Sequence, residues 1–248
     1  MILSDGFDQA KVLQGLSHIH VVRYIDVFVH QTPSKELSIC TVMEHCEGGD
    51  LNQRLTTLRQ TSMALNEDTI IRWLFQLSLG LAYLHSKQVL HRDMKPANCF
   101  ISPGKAGEVL KIGDFGLSVT LEIGKKTSRV GTPSYLAPEV LQMDAYGDCV
   151  DVWGLGCIVL EMMTMQPLSE RGGMLGLEVP AAARRDEPPE RRPSLAAVGQ
   201  VMSKPIKPSR LPANYSPFLR QCVAAMLQVL AVASPSSAVA ERAPGGRR

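Results

Sequence analysis

Charge of one sign is what this sequence most conspicuously lacks: 26 lysines and arginines face 24 aspartates and glutamates, a formal net charge of +2 over 248 residues. A chain so close to neutral offers no electrostatic reason to expect nucleic acid or a membrane surface as partner. Long hydrophobic runs are also missing. The longest apolar region, VDVWGLGCIVLEMM, is too short to span a bilayer and carries Asp151 and Glu161 near its ends. The opening MILSDGFDQAKVLQG has neither a basic start nor a sustained apolar run, so it does not read as a signal peptide. The cysteines (Cys40, Cys46, Cys99, Cys149, Cys157 and Cys222) form no C-x-x-C pair. That spacing argues against a clustered metal site or a secreted disulfide framework and predicts buried free thiols in a reducing compartment. The expected location is cytoplasmic, with the nucleus or cytoskeleton as alternatives. No internal repeat is present.

What is there suits a packed globular chain, with 45% apolar and 20% charged residues. Phe7, Ala10, Val12, Leu13 and Leu16 recur at helical spacing and predict an opening helix. VVRYIDVFV and LSICTVME, separated by the turn-like QTPSKE, predict neighbouring antiparallel strands. Asp50 is placed to cap a short helix, and Asn66 to cap a longer one whose apolar stripe runs through Ile70, Trp73, Leu74, Leu77, Leu81 and Leu84. NCFI and VLKIG read as short strands, and the helix from Asp151 is apolar nearly all round, so burial on every side is expected. A stretch rich in proline and charge, Arg171 to Pro212, reads as a loop or poorly ordered insert. Beyond it, NYSPFLRQCVAAMLQ predicts a helix with Phe218, Leu219, Cys222, Val223 and Met226 on one face. The tail from Gln228 is expected to be disordered.

Four short motifs follow one another in order: His91-Arg92-Asp93-Met94-Lys95-Pro96-Ala97-Asn98, Asp114-Phe115-Gly116, Gly131-Thr132-Pro133 and Ala137-Pro138-Glu139. Each alone is a common turn sequence; together, in this order and spacing, they are specific. From about Phe7 to Met226 the chain resembles eukaryotic serine/threonine protein kinase domains. CEGGDL, HRDMKPANCF, GTPSYLAPE and LPANYSPFLRQCVAAML are most similar to the NIMA-related kinases. The resemblance implies an α+β, bilobal protein-kinase-like fold with an incomplete N-lobe and a mainly helical C-lobe. Residues 1–46 would form the partial N-lobe and 47–227 the C-lobe, with the insert at about 171–212 and the tail at 228–248.

It also implies transfer of the γ-phosphate of ATP to serine or threonine hydroxyls of protein substrates, with ATP and Mg²⁺ as cofactors. Asp93 is then the residue that accepts or orients the hydroxyl proton, and Lys95 reaches the transferring phosphate. Asn98 and Asp114 are hard oxygen donors suited to magnesium. Met43 is the gatekeeper of the adenine site, Glu44 and Cys46 turn their backbones to the adenine edge, Asp50 takes the ribose and Phe100 lies beneath the ring. His91, Phe115, Glu139 and Asp151 are structural, Asp151 bracing the catalytic loop through backbone hydrogen bonds. Arg92 suggests an activation segment ordered by phosphate, with Ser128 or else Thr127 as the phosphosite, and Thr132 contacts the catalytic loop. The resemblance leaves substrate identity and oligomeric state open.

Three departures from the family pattern bear on activity. No glycine-rich loop and no strand-borne lysine precede the first helix, the earliest lysine being Lys11. The helix glutamate that pairs with that lysine falls at Gln9, with Asp8 pointing about 100° away. PERRPS, Pro189 to Ser194, stands before the last helix where the family has it after. The expectation is an incomplete chain, weak or inactive by itself, with a non-catalytic pseudokinase scaffold as the alternative.

Overall fold

Strand-forming residues build the first pair of the fold. In the computed structural model, residues 13–31, 37–105, 107–115, 119–120, 132–142, 146–168 and 207–228 are described. Strand β1 (Tyr24–Gln31) pairs antiparallel with β2 (Leu37–Met43), Val27 opposite Thr41 and Phe28 opposite Cys40. β-Branched and aromatic side chains suit such a pleated ribbon. An irregularity between Tyr24 and Asp26 shifts the alternation, so Tyr24 and Val27, three apart, are both buried. Of the expected opening helix, only the end is described; Leu13 and Leu16 there are buried, while Asp8, Gln9 and Lys11 lie outside the described residues.

The segment from Glu44 to Asp50 leads from the ribbon into the helical part. Gly49 takes φ +69°, a conformation that side chains resist, and the Gly48 N–H donates to the Ile101 carbonyl at 2.9 Å. Asp50 then caps α1 (Leu51–Gln60), accepting from the Gln53 amide at 2.9 Å. Asn66 does the same for α2 (Glu67–Ser86), accepting from Thr69, and Glu67 and Asp68 follow in its first turn. Helix α2 buries Ile70, Trp73, Leu77, Gly80, Leu81 and Leu84, while Leu74 is half-buried at the margin of the stripe.

Two small antiparallel pairs frame the loop that follows. β3 (Val89–Leu90) pairs with β6 (Val119–Thr120), and β4 (Cys99–Ser102) with β5 (Val109–Ile112), Cys99 opposite Ile112. After α3 (Pro138–Gln142), helix α4 (Cys149–Thr164) is buried over nearly its whole surface, and α5 (Pro217–Met226) packs on it. The described chain is thus α+β, with small sheets beside a helical core. All six cysteines are free. Among the described residues no helix is long and apolar enough to cross a membrane.

Three details differ from the sequence expectation. Phe218 is 62% exposed, because α5 turns Leu219, Val223 and Ala224 to the core, one step around the helix from Phe218. Within the charged stretch before α5, Pro208–Arg210 form a turn of 3₁₀ helix and Leu211 is buried; residues 169–206 lie outside the described residues. Glu161, expected at a polar end of the apolar run, is only 1% exposed.

Helix α4 packs closely on the loop between β3 and β4 at Gly154, where an added Cβ would stand 2.6 Å from Met94 Cβ and 3.1 Å from its carbonyl oxygen. Alanine in place of glycine favours a helix by about 1 kcal/mol, whereas overpacking against a fixed neighbour costs roughly 1–3 kcal/mol. Met94 cannot yield freely, since the residues beside it are hydrogen-bonded in place, so the clash outweighs the propensity gain. Gly154→Ala is expected to lower unfolding free energy by up to about 2 kcal/mol in urea denaturation.

Candidate active site

The loop between β3 and β4 is held from below by one carboxylate. Asp151, on the first turn of α4, is fully buried, and its Oδ2 accepts the His91 backbone N–H at 2.9 Å while Oδ1 accepts that of Arg92 at 2.8 Å. The His85 ring, from the end of α2, adds Nε2 to Oδ2 at 2.9 Å. A buried carboxylate is costly unless hydrogen-bonded, and here it is satisfied on both oxygens. The same grip holds Arg92 at φ +65°, a conformation that needs such outside support. The His91 ring accepts from the Asp93 N–H at Nδ1 (3.2 Å), so its proton sits on Nε2, which donates to the Gly113 carbonyl at 2.9 Å.

With the loop fixed, Asp93 stands where four residues converge. Thr132 donates to Asp93 Oδ1 twice, from its amide at 2.9 Å and its hydroxyl at 2.8 Å. Lys95 Nζ lies 2.5 Å from Oδ2 and also donates to the Thr132 hydroxyl at 2.9 Å. Asn98 Nδ2 donates to Oδ2 at 3.1 Å and to the Asp93 carbonyl at 2.8 Å. Burial alone would push the Asp93 carboxyl up, but the hydrogen bonds from Lys95 and Thr132 outweigh it and hold the group below the usual aspartate range. Asp93 is therefore an ionised, oriented acceptor at neutral pH.

Both side-chain hydrogen bonds of Asn98 run from Nδ2, so Oδ1 remains for another partner. Asp114, exposed at φ +58°, follows β5 and makes no side-chain hydrogen bond among the described residues. Two unengaged oxygens of this type beside an ionised aspartate fit a hard divalent cation that keeps most of its waters. Phe115 is tucked inward against the His91 ring (5.0 Å between centroids) and edge-on to Tyr24 (5.6 Å). The Phe115 N–H donates to the Tyr24 hydroxyl at 3.3 Å, a contact between β1 and the segment after β5 that no motif signals.

Beside this centre is a recess of about 360 Å³ lined by Val22, Met43, Glu44, Cys46, Asp50 and Phe100, together with His45, Gly49 and Gln53. All five residues expected around adenine and ribose line it. Its volume suits a small nucleotide-sized ligand. Asp50 already spends Oδ1 on capping α1. Glu44 sends its carboxylate away from loop 45–50, to Lys111 Nζ at 2.9 Å and to the Arg23 amide at 2.7 Å. Burial raises the Glu44 carboxyl, yet Lys111 and the Arg23 amide bring it below the ordinary glutamate range.

Glu139 is buried in α3. Thr127 and Ser128 lie outside the described residues, as do Gly116 and Gly131. Missed by sequence reasoning are Tyr24, His85 and Lys111, and a cluster in which Glu161 accepts from Arg59 Nη2 at 2.7 Å and from the Tyr135 hydroxyl at 2.6 Å. No local pattern marks these residues; their partners are distant in the chain.

Because the Asp93 carboxyl is held low, its contribution to stability is complete above the ordinary aspartate range and is lost as pH falls through the depressed value. Thr132→Val removes one hydroxyl donor and leaves the amide. The Asp93 titration should then move up in pH when followed by carboxyl NMR, and acid unfolding should begin at higher pH. An unchanged titration would mean that the hydroxyl does not set the charge state.

The protein kinase domain family model matches residues 5–204. Human serine/threonine-protein kinase Nek5 is 38% identical over 157 residues, covering 62% of this chain and 21% of that protein. Human serine/threonine-protein kinase Nek11 is 34% identical over 219 residues, 85% of this chain and 32% of its own length. Rice serine/threonine-protein kinase Nek6 is 30% identical over 223 residues, 90% of this chain and 36% of that protein. The chain therefore spans between 21% and 36% of the length of these relatives. With that match over most of its residues, the chain belongs to the protein kinase domain family, and its relatives are NIMA-related serine/threonine kinases.

Proposed function

We propose that this chain serves transfer of the γ-phosphoryl group of ATP, as its magnesium complex, to serine or threonine hydroxyls of protein substrates. The observation that carries the reading is the Asp93 carboxylate, ionised and fixed by Thr132, Lys95 and Asn98 beside the oxygens of Asn98 and Asp114. Phosphoryl transfer asks the protein for positioning and charge neutralisation more than covalent chemistry. A substrate hydroxyl oxygen bonds to the γ-phosphorus as the bond to the ADP oxygen breaks, and the hydroxyl proton passes to Asp93. Lys95, already within reach of the site, balances charge on the transferring group. Asn98 and Asp114 would hold magnesium, which neutralises the phosphate oxygens when bound.

The adenine and ribose belong in the recess that Met43, Glu44, Cys46, Asp50 and Phe100 line, with Glu44 and Cys46 offering backbone groups to the adenine edge and Asp50 its carboxylate to the ribose. The free thiols of Cys46, Cys99 and Cys157, all buried, suit a reducing compartment such as the cytoplasm.

Nucleotide binding is the direct test. ATP with Mg²⁺ should raise the melting temperature of the chain, and Asp114→Ala should remove the magnesium-dependent part of that rise. In a transfer assay on serine- and tyrosine-containing peptides, phosphate should go to serine, and Asp93→Asn should slow the rate by about 10²–10⁴-fold. A folded chain with no nucleotide shift and no transfer would sink the proposal and favour a non-catalytic scaffold.

A further inference from the structure

Arg59 lies outside every motif, at the end of α1, yet it closes a chain of contacts that ends on the catalytic aspartate. Its Nη2 donates to Glu161 Oε1 at 2.7 Å and its Nε to the Met165 carbonyl at 3.1 Å, where α4 stops in a left-handed residue with φ +52°. Glu161 Oε2 accepts the Tyr135 hydroxyl at 2.6 Å. Tyr135 closes the turn Pro133–Tyr135, its amide donating to the Thr132 carbonyl at 2.9 Å. Thr132, finally, makes the double donation to Asp93.

We propose that Arg59 is a positioning residue. By neutralising the buried Glu161, it keeps that carboxylate available to hold Tyr135, and so sets the turn that presents Thr132 to Asp93. The kinetic part of this inference rests on the phosphoryl-transfer reading; the structural part does not.

The physical case turns on what the arginine does that packing alone would not. Glu161 is 1% exposed, and a carboxylate at that depth is costly unless its oxygens are hydrogen-bonded and its charge is paired. Arg59, whose side chain keeps 18% of its exposure, supplies two donors at different angles, one to the carboxylate and one to the end of α4. Its rigid fork fixes both oxygen positions at once, and a lysine, as a single point charge, cannot. Without the guanidinium, Glu161 loses the donor that fixes Oε1, and the Oε2 on which the phenol depends is less firmly placed. Burial beside Glu161 pushes the Tyr135 phenol up, so it remains a donor throughout the neutral range. The turn carrying Thr132 is short and is tied on this side through Tyr135, so a loosened phenol transmits directly to the threonine.

The test reads the Thr132 amide itself, by hydrogen exchange followed by NMR, on the whole chain. Arg59→Met and Tyr135→Phe should each speed exchange at Thr132 by about tenfold or more, since opening the turn exposes that N–H. The double variant should go no further than the faster single one, because both cut the same chain of contacts. Arg59→Lys should fall in between. Arg54→Met is the control: Arg54 is on the same helix and forms an ion pair of similar length, 2.6 Å to Glu108, but it is remote from the turn and should leave Thr132 unchanged.

In the transfer assay the Arg59 and Tyr135 variants should lower kcat about tenfold with the KM for ATP unchanged, the pattern of a lost orientation rather than a lost nucleotide contact. Thr132 exchange at the wild-type rate in Tyr135→Phe and Arg59→Lys overturns the proposal, and so does a change in Arg54→Met equal to that in Arg59→Met. Should Arg59→Met fail to fold, those two milder variants decide the matter. A wild-type chain that transfers no phosphate would count against the function proposed above and leave the exchange result standing.

Discussion

Everything in the candidate site depends on a carboxylate that never meets substrate. Asp151 is sealed under the loop, and its two oxygens take the consecutive amides of His91 and Arg92. That bidentate hold is what lets Arg92 keep a positive φ, and the reversal at Arg92 is what turns Asp93 upward. His85 supplies the third bond and a second helix against which the aspartate is braced. Replacing a hydrogen-bonded buried carboxylate by an apolar group would leave two backbone amides without acceptors, each costing about 1–3 kcal/mol. Few positions in the chain combine so much constraint with so little direct chemistry.

Above that base, the site is organised by sharing rather than by isolated pairs. Thr132 is at once a donor to Asp93 and an acceptor from Lys95, so the three side chains form a closed triangle. Asn98 spends its nitrogen on Asp93 and leaves Oδ1 without a hydrogen bond among the described residues, so one side chain both braces the loop and keeps an acceptor in reserve. Glu44 divides its labour in a similar manner: its backbone lines the recess while its side chain is anchored behind, on Lys111 of the strand that leads to Asp114. The wall of the recess and Asp114 are therefore tied to the same short strand.

Local rules carried the sequence reading where structure is local. Asp50 and Asn66 cap their helices by bonds that span three residues, and the stripe along α2 is a matter of periodicity within one element. The order of the four motifs was enough to name the family. What escaped was set by partners far along the chain. Glu161 reads as a polar terminus until Arg59, 102 positions earlier, and Tyr135, 26 positions earlier, are seen to cover it. Tyr24 meets Phe115 across 91 residues. The helical spacing of Phe218, Leu219, Cys222, Val223 and Met226 puts Phe218 on one face with them. Docking on α4 instead favours the Leu219–Val223 line, with the small Ala224 allowing close approach.

Ser216 caps α5, and the carboxylate of Glu67, at the head of α2, takes both its amide and its hydroxyl, a clasp between positions 149 apart. Leu211 and Tyr215 are buried just ahead of it, and Leu168 is buried just past the end of α4. Leu168 on one side and Leu211, Tyr215 and Ser216 on the other are thus firmly tied to the core. The entropy of closing a flexible chain between two fixed points grows only logarithmically, so doubling its length adds about 0.6 kcal/mol. The register between α2, α4 and α5 is therefore set by these anchors themselves, the Glu67–Ser216 clasp above all, and not by how many residues separate them along the chain.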